Sequence, residues 1–127
     1  MKSREMTKAE EQIMQVLWEL GKGFVNDIIA RLPDPKPAYT TVSTIVRTLE
    51  KKGFAGHNAF GNTHEYYPLI SKDKYTKEYM KGFIKKYFSN SFADMVSFFS
   101  RNDEIDVSEM EEIMKIMEKE IRTKKRG

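Results

Sequence analysis

The sequence predicts a mainly α fold with a small β-hairpin, arranged as a three-helix and hairpin unit followed by a run of helices. Three observations carry that reading. Apolar residues recur at helical spacing in successive stretches along most of the chain. One short region, 54–68, breaks the rhythm, with Gly61-Asn62 at its centre. Glycine, proline or a capping residue stands where each stretch begins or ends.

Thr7-x-x-Glu10 is a capping box, so a first helix starts there and presents Ala9, Ile13, Val16, Leu17 and Leu20 on one stripe, with Trp18 beside it as a core anchor. Gly21 and Gly23 bracket its stop. A short second helix follows from Val25, with Val25, Ile28, Ile29 and Leu32 inward, until Pro33 and the Pro-Asp-Pro-Lys-Pro stretch end it. The third helix is expected over Tyr39 to Lys52, stopped by Gly53, with Val42, Ile45, Val46 and Leu49 inward. Residues 54–60 and 63–68 then suit two strands joined at Gly61-Asn62. Three helices and a hairpin in that order make a winged helix-turn-helix, whose last helix is shaped for the major groove of DNA.

Ser71 caps a further helix, and helical patterning continues almost to the end, with breaks at 89–91 and 101–107. The expected division is therefore 1–70, the winged helix-turn-helix, and 71–127, a helical dimerisation domain. In the second part Tyr75, Tyr79, Phe83 and Tyr87 recur every fourth residue beside Met80, Ile84 and Phe88. Phe92, Met95, Val96 and Phe99 form a second stripe. Met110, Ile113, Met114, Met117 and Ile121 form a third, behind a capping box at Ser108-x-x-Glu111. Three short helices hide so much aromatic and methionine surface poorly. Self-association would cover it, with Tyr79, Phe83, Tyr87, Phe92, Met95, Phe99, Met110, Ile113 and Met117 as the dimerisation residues. The tail from Arg122 to Gly127 reads as a frayed, solvated end.

Bulk properties narrow the function. At 127 residues with 39% hydrophobic and 12% aromatic side chains, the chain folds as one or two small units and has little room for an enclosed catalytic cleft. No stretch reaches the roughly 20 apolar residues that cross a bilayer, and the opening MKSREMTKAEEQ has no apolar run of the signal-peptide kind, so a cytoplasmic protein without direct membrane insertion is expected. The absence of cysteine removes disulfides, thiolate metal sites and thiol redox sensing. The net charge of +3 is modest but uneven: from Lys36 to His57 the charged residues are Lys36, Arg47, Lys51 and Lys52 against Glu50 alone.

The third helix carries the functional argument. At about 100° per residue, Thr40, Thr44, Arg47 and Lys51 cluster opposite its apolar face, flanked by Ser43 and Thr48. Hydroxyls reach base edges or phosphates, threonine methyls pack on thymine, and arginine binds guanine with two hydrogen bonds. Tyr39 and Thr41 at the helix start join these readers, and Lys51 and Lys52 stand where backbone phosphates would pass. A Thr-rich face that is merely solvated is the alternative, and the three-helix context with a hairpin behind it weighs against it. His57, Asn62 and His64 on the wing are candidates for a phosphate or minor-groove contact, or else simple turn chemistry. Two imidazoles without a third ligand make a poor metal site, so no metal or cofactor is expected. No phosphate loop, activated nucleophile or carboxylate cluster suggests an enzyme.

These residues also carry a family resemblance. Met6-Thr-Lys-Ala-Glu10, Ile13-Met14 and Val16-Leu17-Trp18, then Ala38-Tyr-Thr-Thr-Val-Ser-Thr44, Leu49-Glu-Lys-Lys-Gly53 and Tyr67-Pro68, resemble the penicillinase repressors, the BlaI/MecI/CopY group. The resemblance implies a sequence-specific DNA-binding transcriptional repressor, homodimeric on an inverted-repeat operator, with Tyr39 to Lys52 as recognition helix. It also implies, for many members, a membrane-bound sensor peptidase that ends repression by cutting the dimerisation helices. Cleaved members have Asn-Phe where this chain has Phe98-Phe99, in the segment Met95 to Arg101. The cysteine motif of copper-responsive members is absent. Two other readings stay open: a winged-helix module for protein contacts, and a regulator binding a small molecule between its helices. DNA binding predicts a steep salt dependence that an apolar protein interface lacks, and a ligand would raise the melting temperature.

Overall fold

The computed structural model of the chain describes residues 5–127; residues 1–4, the start of the apolar-poor opening segment, lie outside them. The order is α1 (Lys8–Leu20), α2 (Val25–Ala30), α3 (Tyr39–Lys51), β1 (Ala55–Phe60), β2 (Thr63–Pro68), α4 (Lys72–Phe88), α5 (Phe92–Arg101) and α6 (Val107–Arg126). This is a winged helix-turn-helix followed by helices, as the patterning predicts. The chain forms two compact units that divide between Lys77 and Glu78, inside α4. The first turns of α4 belong to the first unit because Tyr75 is buried there, 5.9 Å from the Trp18 ring and 5.7 Å from Phe54.

In the first unit, the Thr7 hydroxyl accepts from Glu10 N–H at 3.1 Å and the Glu10 carboxylate accepts from Thr7 N–H at 2.9 Å, closing the predicted capping box. Ile13, Met14, Val16 and Leu17 are buried from α1, Val25 and Ile28 from α2, and Val42, Val46 and Leu49 from α3. Ala9, placed on the α1 stripe by its spacing, is exposed. Its stripe position lies at the helix start, and Met14, a longer side chain one turn further in, is fully buried instead. The Trp18 indole N–H donates to Ile70 C=O at 2.9 Å, fastening the end of the hairpin to α1.

α3 ends in a Schellman motif. Gly53 takes φ +87°, its N–H bonds Glu50 C=O at 3.0 Å, and Phe54 N–H bonds Leu49 C=O at 2.9 Å. That reversal sends Phe54 into the core and starts β1. The strands pair antiparallel with Phe60 opposite Thr63, and Gly61 at φ +61° supplies the first position of the two-residue turn. The sequence reading leaves out a third short edge: Gly23 exchanges both backbone hydrogen bonds with Tyr66, at 2.8 and 2.9 Å, so the loop after α1 pairs with β2.

In the second unit the breaks fall where predicted, with positive φ at Ser89, Asn90 and Asp103. Ser71 and Ser91 cap α4 and α5. Two expectations are corrected. α6 starts at Val107, capped by the Asp106 carboxylate accepting from Glu109 N–H at 2.8 Å, rather than by Ser108. A carboxylate at a helix start also meets the positive end of the helix dipole, which favours Asp over Ser here. The basic tail is not frayed: α6 runs to Arg126, since Lys124, Lys125 and Arg126 sit at the negative end of the same dipole. Among the described residues, no helix is long and apolar enough to cross a membrane.

Candidate nucleic-acid interface

α3 buries Val42, Val46 and Leu49 completely, so the opposite face is fixed outward. Thr40, Thr41, Thr44, Arg47 and Lys51 are exposed there, Tyr39 is half exposed at the start, and Ser43 is half-buried at the flank. The face is internally ordered. Thr44 Oγ1 donates to Thr40 C=O at 2.9 Å and Thr48 Oγ1 to Thr44 C=O at 3.1 Å, so each hydroxyl keeps its lone pairs for an incoming donor. Arg47 Nη2 donates to Ser43 Oγ at 2.9 Å, which lays the guanidinium along the helix and leaves most of its donors for a planar acceptor pair.

The charge of this region sorts itself by geometry. Lys36 Nζ donates to the Ala30 and Leu32 carbonyls, closing the C-terminal end of α2. Lys52, expected beside a phosphate, instead reaches α1: its Nζ lies 2.8 Å from Glu10 Oε1 and 3.2 Å from Glu5 C=O. Glu10 explains this, because a buried carboxylate needs a counter-charge. Burial pushes the Glu10 pKa up, but the Lys52 hydrogen bond, the Thr7 amide, the Lys52 charge and the Thr7 hydroxyl outweigh it and hold the group below its ordinary value. Arg47 and Lys51 remain as the outward cations of α3.

The wing brings its histidines to the same side. In the register His57 faces Tyr66 and Ala59 faces His64, so the two imidazoles share one face of the ribbon. They stack with centroids 4.0 Å apart. His57 Nδ1 lies 2.7 Å from Glu50 Oε2, which ties β1 to the last turn of α3. Tyr66 packs against both rings. Burial, with the nearby Glu50 charge, raises the pKa of its phenol. Asn62 is exposed at the wing tip, away from this cluster by its place in the turn. Sequence reasoning does not single out Glu50. It sits between an outward and an inward position of α3, and only the reversal at Gly53 brings it against β1.

In the second unit Tyr79, Tyr87 and Phe92 are exposed, and Phe83, Met95, Phe99, Met110 and Ile113 half-buried. Met117 is 53% exposed. Phe83, Phe88, Phe98 and Phe99 form a chain of ring contacts at 5.5–6.4 Å that joins α4 to α5. An open groove of about 610 Å³ lies beside them, lined by Tyr87, Asp94, Ser97 and Arg101 as well. Phe98 and Phe99 stand inside α5, and Phe98 C=O accepts from the Asn102 backbone and side chain.

The penicillinase repressor family model matches residues 6–119. The chain is 27% identical over 119 residues to the methicillin resistance regulatory protein MecI of Staphylococcus aureus, covering 93% of this chain and 97% of that one. It is 26% identical over 122 residues to the penicillinase repressor of Bacillus licheniformis, covering 95% of each. The solution structure of the DNA binding domain of the repressor BlaI superposes with a TM-score of 0.50 at 28% identity, covering 59% of this chain and 94% of that one. These relatives are regulators and repressors. With its winged helix-turn-helix and a match over nearly its whole length, the chain belongs to the penicillinase repressor family of transcriptional repressors.

Proposed function

We propose that two copies of this chain bind double-stranded DNA at an inverted-repeat operator, each laying α3 in the major groove, and thereby repress transcription. The observation that carries this is the exposed Thr40, Thr44, Arg47 and Lys51 stripe, held outward by the fully buried Val42, Val46 and Leu49 behind it. Tyr39, Thr41 and Ser43 supply further hydroxyls along the groove, and the wing residues His57, Asn62 and His64 flank it. The apolar surface of α4, α5 and α6 pairs the two subunits. In this reading repression ends when a membrane sensor peptidase cuts near Phe98-Phe99. That bond lies within helical α5, so the segment must open locally before it can be cut.

Selection of bound duplexes from a random library defines the operator, and substitution then tests the reading. Arg47→Ala costs about 1–3 kcal/mol at one base position and relaxes specificity there, whereas Lys51→Ala weakens all sequences alike and lowers the salt slope by about 1. Operator binding unchanged by both substitutions overturns the assignment of α3. For relief, mass spectrometry of the protein from induced cells shows fragments ending near Phe98; an intact chain with full derepression overturns cleavage.

A further inference from the structure

Between Phe54 and Pro68 the wing has no lysine or arginine, so His57 and His64 are its only side chains able to become cationic. Their rings lie 4.0 Å apart with planes 9° from parallel. A carboxylate only accepts, so at 2.7 Å from Glu50 Oε2 the His57 Nδ1 carries the hydrogen, and an added proton goes to Nε2. That imidazolium has Glu50 as its counter-ion. His64 is exposed and has no such partner among the described residues. Two parallel imidazoliums this close repel, so a second proton requires a second anion on the His64 side.

The groups packed about the stack do not provide one. On α3, Glu50 is bonded to His57, Arg47 is itself a cation, and Tyr39 is a phenol. On β2, the Tyr66 phenol keeps its proton, and Glu65 points to the other face of the ribbon by strand alternation. Among the described residues no carboxylate of α1 or α2 is ion-paired with His64: Asp27 of α2 accepts from Phe24 N–H, and Glu10 of α1 is paired with Lys52.

We propose that His57 and His64 form a proton-switched phosphate contact, in which a backbone phosphate of DNA is the anion that allows His64 to protonate while Glu50 balances His57. The inference rests on the DNA-binding reading above and adds its regulation: DNA affinity rises as the pH falls, and binding takes up protons. By linkage the two statements are one, because whatever the bound state gains from the proton, the proton gains from the DNA.

A phosphate contact needs no particular sequence, so the full chain with a duplex of random sequence suffices. Fluorescence anisotropy at constant ionic strength, from about pH 8 to about pH 6, spans the ordinary imidazole range. Affinity rises by up to about tenfold per pH unit for each proton taken up, and calorimetry in buffers of different ionisation heat counts the protons directly. His64→Asn abolishes that uptake, with circular dichroism confirming that the variant folds. Wild-type binding that ignores pH, or His64→Asn with undiminished uptake, overturns the proposal while the DNA-binding reading stands. Absence of binding to that duplex at every pH overturns the phosphate contact, while the operator selection decides the DNA-binding reading.

Discussion

In the first unit Leu17, Ile28, Val42, Val46 and Leu49 have no exposed surface, whereas in α6 Met114, Met117 and Ile121 keep 48–61% of theirs. The share of apolar residues is similar in the two units; the geometry differs. Three short helices, a hairpin and the start of α4 enclose one another around Phe54, so the first unit completes its own core. α5 and α6 contain no buried residue at all. A helix whose apolar stripe remains in water is stable in a protein only when something covers that stripe. The first unit therefore buries its own apolar surface, while the stripes of α5 and α6 stay uncovered in the single chain, which is the surface the proposed dimer would bury.

The largest expected effect lies at the exposed stripe of α6. Met114→Lys with Met117→Lys, both at solvent-exposed positions, gives monomers in sedimentation and lowers affinity for a paired operator by about 10²–10⁴-fold, since the half-sites lose their effective concentration. Affinity for an isolated half-site stays the same. A dimer that survives both lysines contradicts pairing through the α6 stripe.

The first unit is tested in its centre. Phe54 is 1% exposed and meets Tyr75 edge to face, so Phe54→Ala costs about 3–5 kcal/mol of stability in denaturant titration. Phe92→Ala, at a position 62% exposed in the single chain, costs far less in the monomeric background of the lysine variant.

A smaller effect belongs to the Glu10–Lys52 pair. The Glu10 pKa lies below its unfolded value, so the pair contributes stability above the ordinary carboxylate range, and that stability is lost as pH falls through the folded pKa. Lys52→Met costs about 1–2 kcal/mol near neutrality, low for a charged hydrogen bond because a third of the lysine side chain stays in water. Unfolding curves of the two proteins converge in acid. Smallest is Trp18→Phe, which removes the N–H that bonds Ile70 C=O and lowers stability by about 1 kcal/mol in the same titration.

Much of this architecture was legible because the signals are local. The Thr7/Glu10 box, the glycines at 53 and 61, and the inward Val42, Val46 and Leu49 each follow from chain geometry within a few residues. The outward phase of Thr40, Thr44, Arg47 and Lys51 follows from the same periodicity. What the tertiary structure decided involves partners distant in sequence. Lys52 turns to Glu10 rather than outward, Gly23 pairs with Tyr66, Trp18 reaches Ile70, and Glu50 takes hold of His57. Periodicity tells which way a side chain points from its own helix, but a charge or a hydrogen-bond donor is drawn to whatever the folded chain brings near it, and that depends on how separate elements pack.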